Sequence, residues 1–191
     1  MPHPRTERLP RIAPERMTEE QKAVAAAITA GPRGEVRGPF IALMRSPGLA
    51  GPLQQVGEYL RWRCPLDRRI AEMATLIAAR HWTQQYEWNA HYTHAMNAGL
   101  SPAIAEAIAE GRRPQGMAQD EEILHDLLTE ALHNRGLCDA TYARALAQFG
   151  EQGIVELLAI AGYYSMLAMI LNVARTPLPA GKEPQLPPFP T

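Results

Sequence analysis

Residues 67–101 read DRRIAEMATLIAARHWTQQYEWNAHYTHAMNAGLS, and two helices are written in that stretch. From Ile70 to Ala79 the chain is almost entirely apolar, with one carboxylate, Glu72, inside the run. Such a segment, rich in Ala and Leu, predicts a buried helix over 67–80. Downstream the character changes. Gln84, Glu87, His91 and His94 recur at steps of three and four, which places them on one side of a helix over 82–98. Gly99 supplies its C-terminal stop. The turn at 80–82 is short enough for the two helices to pack antiparallel. An unpaired buried charge is expensive, so Glu72 needs a partner, and the polar seam offers several.

Outward from this pair the chain reads as all-α, with about seven or eight helices. Thr18 with Gln21 three residues later is a capping box opening 19–30, and Gly31-Pro32 closes it. Short helical character follows at 36–45 and a longer helix at 47–61, stopped by Pro65. Ser101-Pro102 starts a helix running to Gly111, and Asp120 opens 121–134. Asp139 opens 140–149. The last helix, 151–173, is apolar on most faces, which predicts burial on both sides and a subunit interface. Eight of the seventeen prolines fall in residues 1–52 and six in 177–190, leaving the middle free for helices. The expected organisation is an extended arm over 1–15, one helical domain over 16–175 and a Pro-rich tail over 176–191.

Bulk properties narrow the function. A formal net charge of -1 and a pI near 6.6 argue against nucleic acid as partner. No run reaches the roughly 18 uninterrupted apolar residues of a membrane span. The N-terminus lacks the apolar stretch of a secretory signal, and two distant cysteines, Cys64 and Cys138, suit a reduced cytoplasmic protein.

Glu87 and His91 are four apart, so their side chains can meet directly. A carboxylate beside an imidazole fixes its tautomer and makes a proton shuttle. Glu72 could complete a Glu-His-Glu relay. Two other readings fit the same residues: a solvated helix face with a weak salt bridge, and a metal site built from Glu87, His91, His94 and Glu72. The metal spacing matches neither His-Glu-x-x-His nor the paired Glu-x-x-His of di-iron bundles, and we expect neither metal nor cofactor. Arg45, Arg61, Arg63, Arg68 and Arg69 make the stretch before Glu72 basic, and one of them could take a substrate carboxylate bidentately.

The segments Asp67-Arg68-Arg69-Ile70-Ala71-Glu72, Gln84 to His91, Ala98 to Ser101, Pro39 to Pro47 and Leu157 to Leu167 carry a resemblance. Over roughly residues 40–173 the chain resembles the carboxymuconolactone decarboxylase family, whose all-helical fold is shared with alkylhydroperoxidase D. In the peroxidase branch a glutamate precedes a Cys-x-x-Cys pair and then a histidine. The glutamate matches Glu72 and the histidine His91, while Gln84 and Glu87 stand at the cysteine positions. A thiol-disulfide cycle needs both sulfurs, so that chemistry is excluded by this route. The resemblance implies a homo-oligomer, trimer or hexamer, and a cofactor-independent decarboxylase acting on a small lactone or carboxylic acid, as in aromatic compound catabolism. The longer arm and tail point to a branch beside the aromatic-degradation enzyme itself. The roles expected are proton transfer by His91, oriented by Glu87 and tuned by Glu72, with Gln84, His94 and Arg45 binding substrate. A non-catalytic helical oligomer or ligand-binding protein retaining the fold is the alternative.

Overall fold

A computed structural model describes residues 6–187; 1–5 and 188–191, with parts of the expected arm and tail, lie outside the described residues. Among the described residues all regular structure is helical: α1 Glu19–Ala30, α2 Pro39–Leu43, α3 Pro47–Glu58, α4 Arg68–His81, α5 Gln85–Asn97, α6 Pro102–Ala109, α7 Gln119–Asn134 and α8 Asp139–Ala174. A single 3-10 turn, Pro14–Arg16, precedes α1, and a π-type turn, Tyr59–Arg63, follows α3.

Local signals set the helix starts. Gln21 N–H donates to Thr18 Oγ1 at 3.2 Å and Thr18 N–H to Gln21 Oε1 at 2.9 Å, the reciprocal box expected for α1. Asp67 caps α4 by accepting from Arg69 N–H at 2.9 Å. Helix α5 starts three residues later than the heptad-like seam suggests. Thr83 takes a left-handed φ of 47°, and Gln84 is extended and caps the helix instead of lying in it.

Every residue of α4 from 70 to 80 is buried, and α4 packs against α5, α7 and α8. Arg69 ties α4 to the start of α7 through Asp120 at 2.6 Å and Glu121 at 2.5 Å. Gly150, at φ 67° and ψ 176°, interrupts α8 where the sequence separates 140–149 from 151–173. Helix α8 is long and apolar enough to cross a membrane by length and composition. Yet 56% of its most apolar 18-residue window is buried inside the protein, as in a core helix.

The described parts of arm and tail lie on their own chain. Arg8 N–H donates to Ala174 O at 2.8 Å, and Arg11 Nη2 to Val36 O at 2.7 Å. The tail returns across α5: Gln85 Oε1 accepts from the N–H groups of Gln185 and Leu186 at 2.9 and 3.0 Å, and its Nε2 donates to Leu186 O at 2.7 Å. Leu186 is buried in the core.

Candidate active site

The partner of Glu72 is found on both sides. Its Oε1 lies 2.5 Å from Arg68 Nη2, one turn back on α4, and its Oε2 lies 2.7 Å from His91 Nδ1 on α5. Burial alone would raise the Glu72 pKa; the hydrogen bond and charge of His91, with the charge of Arg68, outweigh it and hold the carboxylate below its ordinary value. His91 is shifted down, first by burial, against the pull of Glu72. The pair is therefore an ionised Glu72 accepting the Nδ1–H of a neutral imidazole, which leaves Nε2 with its lone pair. The edge of Tyr164 packs on the His91 ring at a centroid distance of 4.7 Å. Arg68 is itself held, because its Nη1 donates to Arg61 O at 2.5 Å in the π-type turn.

Glu87 does something different from what its spacing suggests. It does not orient His91; Glu72 does. Glu87 is 3% exposed, and neither carboxyl oxygen has a hydrogen-bond partner among the described residues. Burial pushes its pKa well above the ordinary carboxyl value, which favours the protonated form. The two carboxyls are thus driven apart, Glu72 toward the anion and Glu87 toward the neutral acid.

Glu87, His91 and His94 line a cavity of about 250 Å3 with Tyr163 and Tyr164 of α8. Its remaining wall is basic. Arg33 and Arg37 come from the loop after α1, Arg61 from the π-type turn, and Lys182 with Pro179 from the returning tail. His94 is shifted down by burial first and by the Arg61, Arg68 and Arg37 charges, with Glu72 opposing. An anion entering this cavity meets a positive field.

No protein-family model matches the chain, and no curated protein matches it. A solved structure from Agrobacterium tumefaciens does. It is described as a protein of unknown function and a candidate antioxidant defence protein AhpD. It matches with a TM-score of 0.64 at 16% identity, covering 75% of this chain and 99% of that one. The chain has an AhpD-like fold. Within that fold neither Cys64, half-buried, nor Cys138, exposed, lines the His91 cavity.

The other expected ligand-binding residues are placed elsewhere. Gln84 Oε1 caps α5 through Tyr86 N–H, and its Nε2 donates to Asn172 Oδ1 at 2.9 Å, so its amide is spent on structure. Arg45 is exposed, away from the cavity, and pins the arm by donating to Pro10 O at 2.6 Å and Ile41 O at 3.1 Å. Among the described residues no three His, Cys, Asp or Glu side chains gather as metal ligands. Sequence reading missed Arg33, Arg37, Tyr163 and Lys182. Arg33 sits between Pro32 and Gly34 with no motif around it, and only the fold brings it to His91.

Proposed function

We propose that this protein is a cofactor-independent acid–base enzyme of the carboxymuconolactone decarboxylase type, moving a proton at carbon in a small anionic lactone or carboxylic acid. The observation that carries this reading is a Glu72-held His91 beside a buried Glu87, whose oxygens have no partner among the described residues, in one basic cavity. A base and an acid with pKa values moved toward each other can both be in working form near neutral pH.

His91 Nε2 exchanges the proton with the reacting carbon, and Glu72 balances the charge that forms on the ring. Glu87 donates a hydrogen bond to the carbonyl oxygen as negative charge gathers there, with the arginines adding to the field. In the decarboxylating case, CO2 leaves and its bonding electron pair moves into that carbonyl. Nε2 of the neutral His91 ring takes a proton from solvent, Glu72 balancing the charge, and passes it to the carbon, which restores the neutral ring. Thiol peroxidase chemistry is no part of this reading. Turnover of γ-carboxymuconolactone by the wild type and by His91→Ala tests it. Loss of turnover in the mutant is expected, and full turnover without His91 would refute the assignment.

A further inference from the structure

Helix α8 releases the chain beside the active cavity. Arg175, left-handed at φ 55°, ends the helix, and Thr176 N–H donates to Leu171 O at 3.1 Å. From Pro177 to Lys182 the chain makes no hydrogen bond to the body of the protein among the described residues. Its one bond is internal: Lys182 N–H donates to Pro179 O at 3.1 Å, closing a turn in which Gly181 takes φ 76°. Beyond the turn the hold is firm. Asn89 Nδ2 donates to Glu183 O at 3.3 Å, Gln85 holds Gln185 and Leu186, and Arg80 Nη1 donates to Pro187 O at 2.6 Å. Leu186 is buried in the core. Residues 177–182 are thus a strap fastened at both ends and free between them. Pro179 and Lys182 line the cavity and are also exposed to solvent, so the turn forms its rim. The ammonium of Lys182 pairs with no carboxylate among the described residues, and it shares its cavity with Arg37 and Arg61.

We propose that the Pro179–Lys182 turn is a gate over the His91 cavity that a bound anion draws shut, with Lys182 as the residue that contacts the anion. Like charges on the rim and on the inner wall repel across an empty cavity, and no hydrogen bond from 177–182 to the body opposes that repulsion. An anion between them reverses the sign. The ammonium gains a charge-assisted hydrogen bond only when the turn is down, so the closed form binds the anion more tightly than the open one. Lysine suits a contact that moves, because its charge sits at the end of a flexible stem. The anchor and the base belong to one helix: Gln85, Asn89 and His91 all lie on α5, so the strap closes against the element that carries the base. Closure also keeps water from the bound anion, which strengthens the pull of the arginines on it. The inference rests on the proposed function only in taking the ligand to be anionic.

Nitrogen-15 relaxation of the full chain, with 5-oxotetrahydrofuran-2-carboxylate or its neutral primary amide as probe, tests the gate without needing turnover. Without probe, the heteronuclear NOE of the Gly181 and Lys182 amides should fall below that of Gln185 and Leu186, which Gln85 holds. The carboxylate should raise the Gly181 and Lys182 values to those of the anchor, and the amide should leave them low. Lys182→Gln, at an exposed position, should leave the strap mobile with carboxylate present. The same variant should bind the carboxylate at least about threefold more weakly by calorimetry. His91→Gln should close on the carboxylate as wild type does, so a failure of the gate and a failure of the acid–base reading are seen separately. A strap as rigid as its anchor without probe, no change with carboxylate, the same change with the amide, or undiminished closure in Lys182→Gln would overturn the proposal.

Discussion

Two glutamates fifteen positions apart, Glu87 lining the cavity and Glu72 held behind it on His91, are pushed in opposite directions, and their surroundings explain why. Glu72 has Arg68 and His91 at its two oxygens, whereas Glu87 has neither charge nor donor at either oxygen. The consequences differ in sign. The folded pKa of Glu87 is raised, so folding is favoured most at and below the unfolded value near 4.5, and that contribution is lost as pH rises toward the folded value. Glu87→Gln should therefore melt higher than wild type at about pH 8, with the advantage shrinking toward about pH 4.5; an advantage that does not depend on pH would refute the neutral acid. The folded pKa of His91 is depressed, so for a substrate whose reaction begins with removal of a proton from carbon the base should fail only at a pH below the ordinary histidine value of 6.5. With such a substrate the rate–pH profile should be bell-shaped, and Glu87→Gln should remove its alkaline limb. Glu72 stood out in the sequence because a charge inside an apolar run demands a partner. The role of Glu87 did not, since i, i+4 spacing says that two side chains can meet but says nothing of Tyr163 and Tyr164 burying one of them from α8.

At the scale of elements, the site depends on two turns. The short turn before α5 returns His91 to Glu72, and Asn172 of α8 latches that turn by donating to Trp82 O at 3.0 Å. The π-type turn at Tyr59–Arg63 ends with Cys64 N–H donating to Tyr59 O at 2.8 Å. Its Arg61 carbonyl then sets Arg68, Arg68 sets Glu72, and Glu72 sets His91. Arg68→Met should lower kcat with little change in KM, by less than the ~10²–10⁴-fold loss expected of His91→Gln. Equal losses in the two variants would mean that the arginine touches substrate. Gly57→Ala should cost about 1–3 kcal/mol in thermal or denaturant unfolding, since its Cβ would collide with Tyr163. Boundaries written in local chemistry were legible: the Thr18 box, the Asp67 cap, the Ser101-Pro102 start and the break at Gly150. The π-type turn was not, because nothing in Tyr59–Arg63 marks one: its buried Leu60 and its charged Arg61 and Arg63 suit an ordinary helical turn equally well.

The whole molecule assembles the cavity from segments far apart in the chain. The loop carrying Arg33, the π-type turn, α5, α8 and the tail each contribute, and that convergence is why sequence pointed to Arg61 alone of the basic wall while the helical fold was plain. The Pro-rich tail, over its described residues, closes on its own α5 through the side chain of Gln85. Outside the cavity, α8 leaves an apolar row open, with Val155 65% and Val173 62% exposed and Leu158 and Met169 between them. That row predicts self-association. Sedimentation should give a species larger than one chain for the wild type and a shift toward monomer for Val155→Asp; a monomeric wild type would remove the basis for an oligomer. The central claim, that His91 transfers a proton at carbon, is tested most directly by proton NMR of γ-carboxymuconolactone incubated in D2O with wild type and His91→Gln. The account predicts loss of CO2 with deuterium at the product carbon for the wild type and an unchanged substrate for the variant. Equal deuterium incorporation with both proteins would contradict it.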